Sequence, residues 1–287
     1  MATIINNRDT LRDVPMDIFN YVIFPELDSL SIFCLQIVLR HKRIPNKQYF
    51  PEHIHELIIR AGFKYFFWFN NYGSFNHTMS MNYAAKYDQT RILQHGHKND
   101  YMFANTAMNN AAQFAQLDCV KLLHRYGLRY SDQTVAAAIR ANQLEILQYL
   151  ISRGCKLSYN VDTIAARNGS LECLKYIRFK QLVAGPTCYI TAATHGHIHI
   201  MEYLKEHYRP NGVLYDKVIM NNQPTVLRYL LTNYGGDSLM YLSVCEYNRL
   251  EMLQILLEEG VVLTADIKQR CCQYILTPEV QQLLLDH

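Results

Sequence analysis

Apolar residues along this chain obey two spacings at once, a short one inside segments and a long one between them. The segments LDCVKLL at Leu117, LEILQYL at Leu144, LECLKYI at Leu171, IHIMEYL at Ile198, PTVLRYL at Pro224 and LEMLQIL at Leu250 start 27, 27, 27, 26 and 26 residues apart. One further step of 27 reaches Thr90 in TRILQ on one side and Thr277 in TPEVQQLL on the other, where the pattern is weaker. Within a segment the apolar positions fall near i, i+3 and i+6, as at Leu144, Leu147 and Leu150 with Ile146 on the flank, which is helical spacing. Six residues ahead of each segment stands a small pair: AA at Ala84, Ala111, Ala165 and Ala192, AI at Ala138, VI at Val218, VC at Val244 and CC at Cys271. Small residues at a fixed place let two helices approach closely. The stretch holding the pair, for example DTIAARNG, reads as a first short helix begun by Asp162 as N-cap and ended by Gly169. Each unit is therefore a helical hairpin whose helices are too short to persist alone and must bury their apolar faces against neighbours.

Composition narrows the function classes. A hydrophobic fraction of 49% over 287 residues suffices for a continuous core. The net charge of +3 is too balanced for a dedicated grip on nucleic acid or a membrane surface, and the RHKR cluster at 40–43 suits the C-terminal end of a helix. The eight cysteines form no CxxC pair and no zinc module. Cys119 and Cys173 recur in equivalent slots 54 residues apart, and Cys245, Cys271 and Cys272 belong to the small pairs, so packing accounts for them. The opening MATIINNRDTLRD lacks the apolar core of a signal peptide, which leads us to expect thiols in a reducing, cytoplasmic setting. The stretches 65–85 and 182–201 lack Asp, Glu, Lys and Arg but are too polar to span a bilayer. No GxxxxGK[ST], GxGxxG, GxSxG or HExxH is present, so no catalytic residue and no cofactor is assigned. Glu258 and Glu259 read as a solvated helix end. The histidines of THGHIHIMEYL span a turn, which places His195, His197 and His199 poorly for one ion, and no metal ligand is assigned.

AARNGSLECLKYI and AATHGHIHIMEYL resemble the AAxxGHLEVVKLLL core of the ankyrin repeat. Gly127, Gly154 and Gly260 match the glycine that closes its second helix. The resemblance covers roughly residues 80–287 and implies an all-α, ankyrin-type helical-hairpin solenoid over 83–287, about eight units with the first and last degenerate. The period is 26 to 27 where the family has about 33, so the finger between repeats is expected to shrink to a short loop. Short units of this kind, rich in Tyr and Asn, are similar to the ankyrin proteins of giant amoeba-infecting viruses. The resemblance also gives His197 a backbone hydrogen bond across its own turn and makes the variable pair before each turn a binding wall. Phe114, Arg140, Arg167, His195 and Tyr247 are the candidate partner-binding residues on it.

Residues 1–44 do not follow the period. DVPMDIFNYVIFPELDSLSIFCLQIVLRHKRI reads as short helices, with Pro15 in a first turn. It resembles the first part of an F-box, which implies that Val14, Pro15, Ile18, Leu27 and Leu30 dock a Skp-type adaptor of a cullin-RING ubiquitin ligase. The other reading is a helical cap that seals the repeats. Residues 45–82 are expected to hold linking helices and a loop, with Ile54, Leu57 and Ile58 inward, Gly62 closing a helix, and FKYFFWF with Trp68 packing on the first repeat. The expected function is a non-enzymatic adaptor that recruits a protein client. The alternative is a binding scaffold or decoy with no ligase link, and an enzyme would need a metal at the histidine-rich repeat.

Overall fold

The computed structural model describes residues 76–180 and 186–287, together with Glu56, 58–60, 62–63, 66–67 and Asn70. Val14, Pro15, Ile18, Leu27, Leu30, Ile54, Leu57 and Trp68 lie outside the described residues. Among those described, every regular element is a helix and no strand occurs. None of these helices is long and apolar enough to cross a membrane. The chain divides into two compact units, 1–129 and 130–287.

The first unit holds α1 (His77–Lys86), α2 (Thr90–Lys98), α3 (Asn105–Gln113) and α4 (Leu117–Arg125). Helices α1 and α3 pack side by side, as do α2 and α4, and each first helix packs on the second helix of its own hairpin. The second unit continues with α5 (Asp132–Arg140), α6 (Leu144–Ser152), α7 (Val161–Asn168), α8 (Leu171–Phe179), α9 (Pro186–Thr194) and α10 (Ile198–Leu204). It ends with α11 (Gly212–Met220), α12 (Pro224–Tyr234), α13 (Met240–Glu246), α14 (Leu250–Glu258), α15 (Ala265–Cys271) and α16 (Pro278–Asp286). Its first helices stack in series, α5 on α7 and so on to α15. The apolar segments read from the sequence begin α4, α6, α8, α10, α12 and α14 at the residues named above, and Thr277 is the N-cap of α16.

The small pair is the buried contact of each first helix. Ala84, Ala85, Ala111, Ala112, Ala165, Ala166, Ala192 and Ala193 are wholly buried, and Val218, Val244 and Cys271 take the same place further on. Cys272 departs from the expectation: α15 ends at Cys271, and the next thiol is exposed. In α6 the buried face is Ile146, Leu147 and Leu150, while Leu144, as first residue of the helix, sits half-buried at the rim. Asp162 is not an N-cap, because α7 starts at Val161 after Asn160. Its carboxylate accepts from the Thr163 amide at 2.7 Å inside the first turn, where negative charge complements the helix dipole.

Seven of the eight first helices, all but α15, close in the same way. A left-handed residue stands one or two places past the helix: Asp88, Ala115, Asn142, Gly169, Gly196, Asn222 and Asn248, with φ from 53° to 82°. The amide after it then donates to the carbonyl of the first small residue, as Gln143 does to Ala138 at 2.8 Å and His197 to Ala192 at 2.9 Å. This is a Schellman closure, which satisfies a carbonyl the helix itself leaves unpaired. Gly127, Gly154 and Gly260 do the same after second helices, with Leu128, Cys155 and Val261 donating to Leu123, Leu150 and Leu256. Two buried tyrosines tie first helices to the far turn of their own hairpin, Tyr215 to the Gly235 carbonyl at 2.7 Å and Tyr241 to that of Val261 at 2.8 Å.

Ahead of α1, Ile58, Ile59 and Phe66 are buried, and Gly62 between them adopts φ 104°. The rings of Phe63, Phe66 and Phe67 approach that of His95 on α2 at 5.8, 5.9 and 5.6 Å, so these three phenylalanines of the aromatic run pack on the first hairpin. His77 on α1 stacks on Tyr101 with centroids 3.8 Å apart. Burial holds the pKa of both imidazoles below the ordinary 6.5, with smaller pushes from His95 on His77 and from Lys98 on His95.

Two outcomes follow from this packing. Leu147 has no exposed surface, so Leu147→Asp strands a carboxylate between repeats and should cost at least about 3 kcal/mol, whereas Arg140→Ala should stay within about 0.5 kcal/mol in chemical denaturation. The histidines also set a pH dependence. Because the folded state keeps His77 and His95 neutral to lower pH than the unfolded chain does, the unfolded state binds more protons just below 6.5. Stability should be full above that value and fall as the pH drops through it. In the double variant His77→Gln, His95→Gln the denaturation midpoint should vary less between pH 8 and pH 5, values chosen to be about 1.5 on either side of an ordinary imidazole pKa.

Candidate binding edge of the first helices

The closure of each first helix decides which residues face outward. Counting from the buried pair, the second and third residues onward stand on the last turn of the helix, beyond the small residues that touch the neighbour. In the second unit the first of these slots holds Arg140, Arg167, Thr194, Met220 and Glu246, and the next holds Ala141, Asn168, His195, Asn221 and Tyr247. Arg140, Arg167, His195, Met220 and Tyr247 are all exposed. First helices packed in series bring these positions into one row, a hairpin apart.

The members of the row differ in freedom. Arg140 and Arg167 make no ion pair among the described residues. The His195 ring is engaged, its Nδ1 donating to the Thr191 carbonyl at 2.9 Å and closing the end of α9. Tyr247 follows the last residue of α13 and keeps about a third of its surface exposed. Phe114 occupies the same slot in the first unit, where the Lys86 ammonium lies 5.2 Å from its ring centre. That aromatic face is a floor for a cation already present.

His197 corrects the expectation of a bond across its own turn. That turn is already closed by backbone, and the His197 Nε2 donates instead to the Arg167 carbonyl, 30 residues earlier, at 2.9 Å. Gly169 makes room for it: a Cβ there would lie 2.8 Å from the imidazole Nδ1. His199 Nε2 donates to the Gly169 carbonyl at 3.0 Å. Two of the three histidines thus reach back one repeat and the third bonds within its own helix. Among the described residues no group of three His, Cys, Asp or Glu side chains is disposed to hold a metal.

The backward reach recurs along the chain. The side chain just before a second helix donates to the end of the preceding first helix, Gln116 to the Lys86 carbonyl at 3.3 Å and Arg249 to that of Met220 at 2.9 Å. Left-handed turn residues complete the link in the other direction. Asn142 Oδ1 accepts from the Cys173 amide at 3.2 Å, and Asn248 Oδ1 accepts from the Thr277 amide at 3.1 Å. Asp88 Oδ1 accepts the Cys119 thiol at 3.3 Å. Sequence reasoning passed over this set, and residue type alone does not give it, since Gln116, His197 and Arg249 reach back whereas Gln143 and Gln223, in the same position, donate to Ala141 and Asn221 of their own turns.

The second helices present a different surface. Lys175 pairs with Glu172 at 2.7 Å and Lys205 with Glu202 at 2.7 Å. Glu258 and Glu259 are not simply solvated, since Arg228 binds both at 2.7 and 2.8 Å across a groove of about 570 Å³ between α12 and α14. The thiols of Cys173 and Cys188 are poor nucleophiles, because burial pushes both up to about 12. Compared with known proteins, the chain matches no family model and no curated sequence.

The turn that carries Arg140 offers a test of the inter-repeat bonds. Asn142 sits at φ 54° and caps α8 of the next repeat. Asn142→Gly should lose only the cap, about 1 kcal/mol, while Asn142→Ala should lose about 1 kcal/mol more to the left-handed backbone. Equal losses in urea denaturation would show that the backbone conformation there carries no cost.

Proposed function

We propose that this chain is a non-enzymatic protein interaction module of ankyrin type, which recruits a client protein through the exposed row on its first helices. One observation carries the reading: the hairpins from α1 to α14 are alike in their buried pair and their turn closure, yet the outward slot changes from Arg to Thr, Met and Glu in successive repeats of the second unit. A uniform frame with a variable edge suits recognition, for which Arg and Tyr are favoured anchors. In this proposal the N-terminal F-box-like segment docks a Skp-type adaptor and cullin in the cytoplasm through Val14, Pro15, Ile18, Leu27 and Leu30. Catalysis then belongs to the partner ligase, and the repeats supply proximity.

The test is affinity purification from a eukaryotic lysate with the full chain, with a form lacking residues 1–44, and with the full-length double variant Arg167→Ala, Tyr247→Ala. Adaptor and cullin should accompany the full chain and vanish with the N-terminal segment, while the double variant should keep them and lose the client. A well-folded full chain that brings down neither adaptor nor cullin would end the ligase reading and leave the binding scaffold.

A further inference from the structure

The slot that holds Arg140 and Arg167 is filled by Lys86 in the first described hairpin, the last residue of α1 and again two residues past the start of the buried pair. There the chain shows what such a cation takes up. The Glu56 carboxylate, which comes from outside the hairpins, sits 2.8 Å from the Lys86 ammonium and also accepts from the Tyr87 hydroxyl. Those two hydrogen bonds, Lys86 first, hold Glu56 below the usual carboxylate range. Tyr87 occupies the adjoining slot, equivalent to that of Phe114 and His195, so the carboxylate is seated by two consecutive positions of its hairpin.

Arg140 and Arg167 are exposed, occupy that same slot on α5 and α7, and have no carboxylate partner among the described residues. Four other cations of their unit find an acid within it. Lys175, Lys205, Arg228 and Arg270 each lie within 4.0 Å of an acid of the chain, at 2.7, 2.7, 2.7 and 3.9 Å. Helices α5 and α7 pack on each other, and packed helices run about 8 to 10 Å apart. An extended chain covers that distance in about three residues.

We propose that Arg140 and Arg167 receive an acidic, extended segment of the client whose carboxylates stand three residues apart, as Glu56 is received by Lys86. Arginine suits the role because its planar fork binds a carboxylate through two parallel hydrogen bonds. The row also gives the segment a direction. The slot is neutral at Thr194 and Met220 and becomes acidic at Glu246, so a segment acidic along its whole length is repelled at the α13 end. The inference rests on the reading of this edge as a protein-binding surface and adds the chemistry of the partner.

The experiment uses the full chain and dye-labelled peptides of about ten residues, matched to a three-residue step. One carries Glu at i and i+3 in a Gly/Ser background, one has Gln in their place, and one carries two adjacent Glu. Fluorescence anisotropy at low and high salt should show tightest binding for the i, i+3 peptide and loss of it at high salt. The double variant Arg140→Gln, Arg167→Gln should weaken it about tenfold, two exposed ion pairs being lost, while Arg→Lys at both positions should retain part of the affinity. Unchanged thermal melting confirms that the variants fold. Equal binding of the Gln peptide, or no effect of the double variant, overturns the proposal. A single-stranded oligonucleotide that binds more tightly through the same arginines also overturns it, in favour of phosphate. If the acidic peptides fail while a client captured by the full chain survives the arginine substitutions, the acidic pairing falls and the interaction reading stands.

Discussion

The hydrogen bond from the residue after each turn to the first small residue of the buried pair is the constraint on which the rest depends. It needs a left-handed residue between them, and from α1 to α13 it ends the first helices within one residue of the same place. Once that end is set, the second helix starts two residues after the left-handed one, and its apolar face meets the first helix in a constant register. The small pair is part of the same device. A larger side chain there would hold the first helices apart, and the outward slots would no longer fall in a row.

Short helices leave many unpaired backbone groups, and this chain satisfies them largely between repeats. The second helices from α2 through α14 lack a capping side chain of their own. Donors and acceptors are supplied by the preceding hairpin, as Asn142 supplies Cys173, or by the following one, as His197 supplies Arg167. Neighbours are therefore joined by directional bonds in addition to apolar contact. Apolar burial alone tolerates sliding, whereas a hydrogen bond between a named amide and a named carboxamide does not. This is how repeats with so little local stability hold their surface positions in register.

Most of the helical frame was legible because it rests on burial, which repeats. The starts of α4 through α14 on the second-helix side were visible as Leu117, Leu144, Leu171, Ile198, Pro224 and Leu250, since each helix must turn the same face to its neighbour. What escaped is polar and local. Asp162 looks like an N-cap by residue type, but the helix begins one residue earlier, where the preference for Ser, Thr, Asp or Asn gave no contrast with Asn160. Cys272 looks like its buried neighbour because residue type is blind to the helix ending between them. The direction of the His197 ring depends on empty space over Gly169, a residue of the previous repeat. The outward slots were identified by position, but whether each was free, as with Arg140, or engaged, as with His195 and Phe114, depended on neighbours no periodicity encodes.

Charge is answered locally at some positions of the hairpins: Lys175 has an acid on its own helix and Arg228 has one in the next repeat. Exposed pairs of this sort add little to stability. Arg140 and Arg167 are set apart by position, since they hold one slot of two helices packed on each other and neither has an acid within reach among the described residues. Lys86 shows that the slot itself does not forbid a carboxylate, since Glu56 occupies it. The difference lies in what meets the slot: Glu56 of the same chain meets Lys86, and Arg140 and Arg167 are exposed. Two exposed cations about one helix spacing apart, in a slot that elsewhere in the chain holds a carboxylate, are the geometry on which the proposed acidic partner rests.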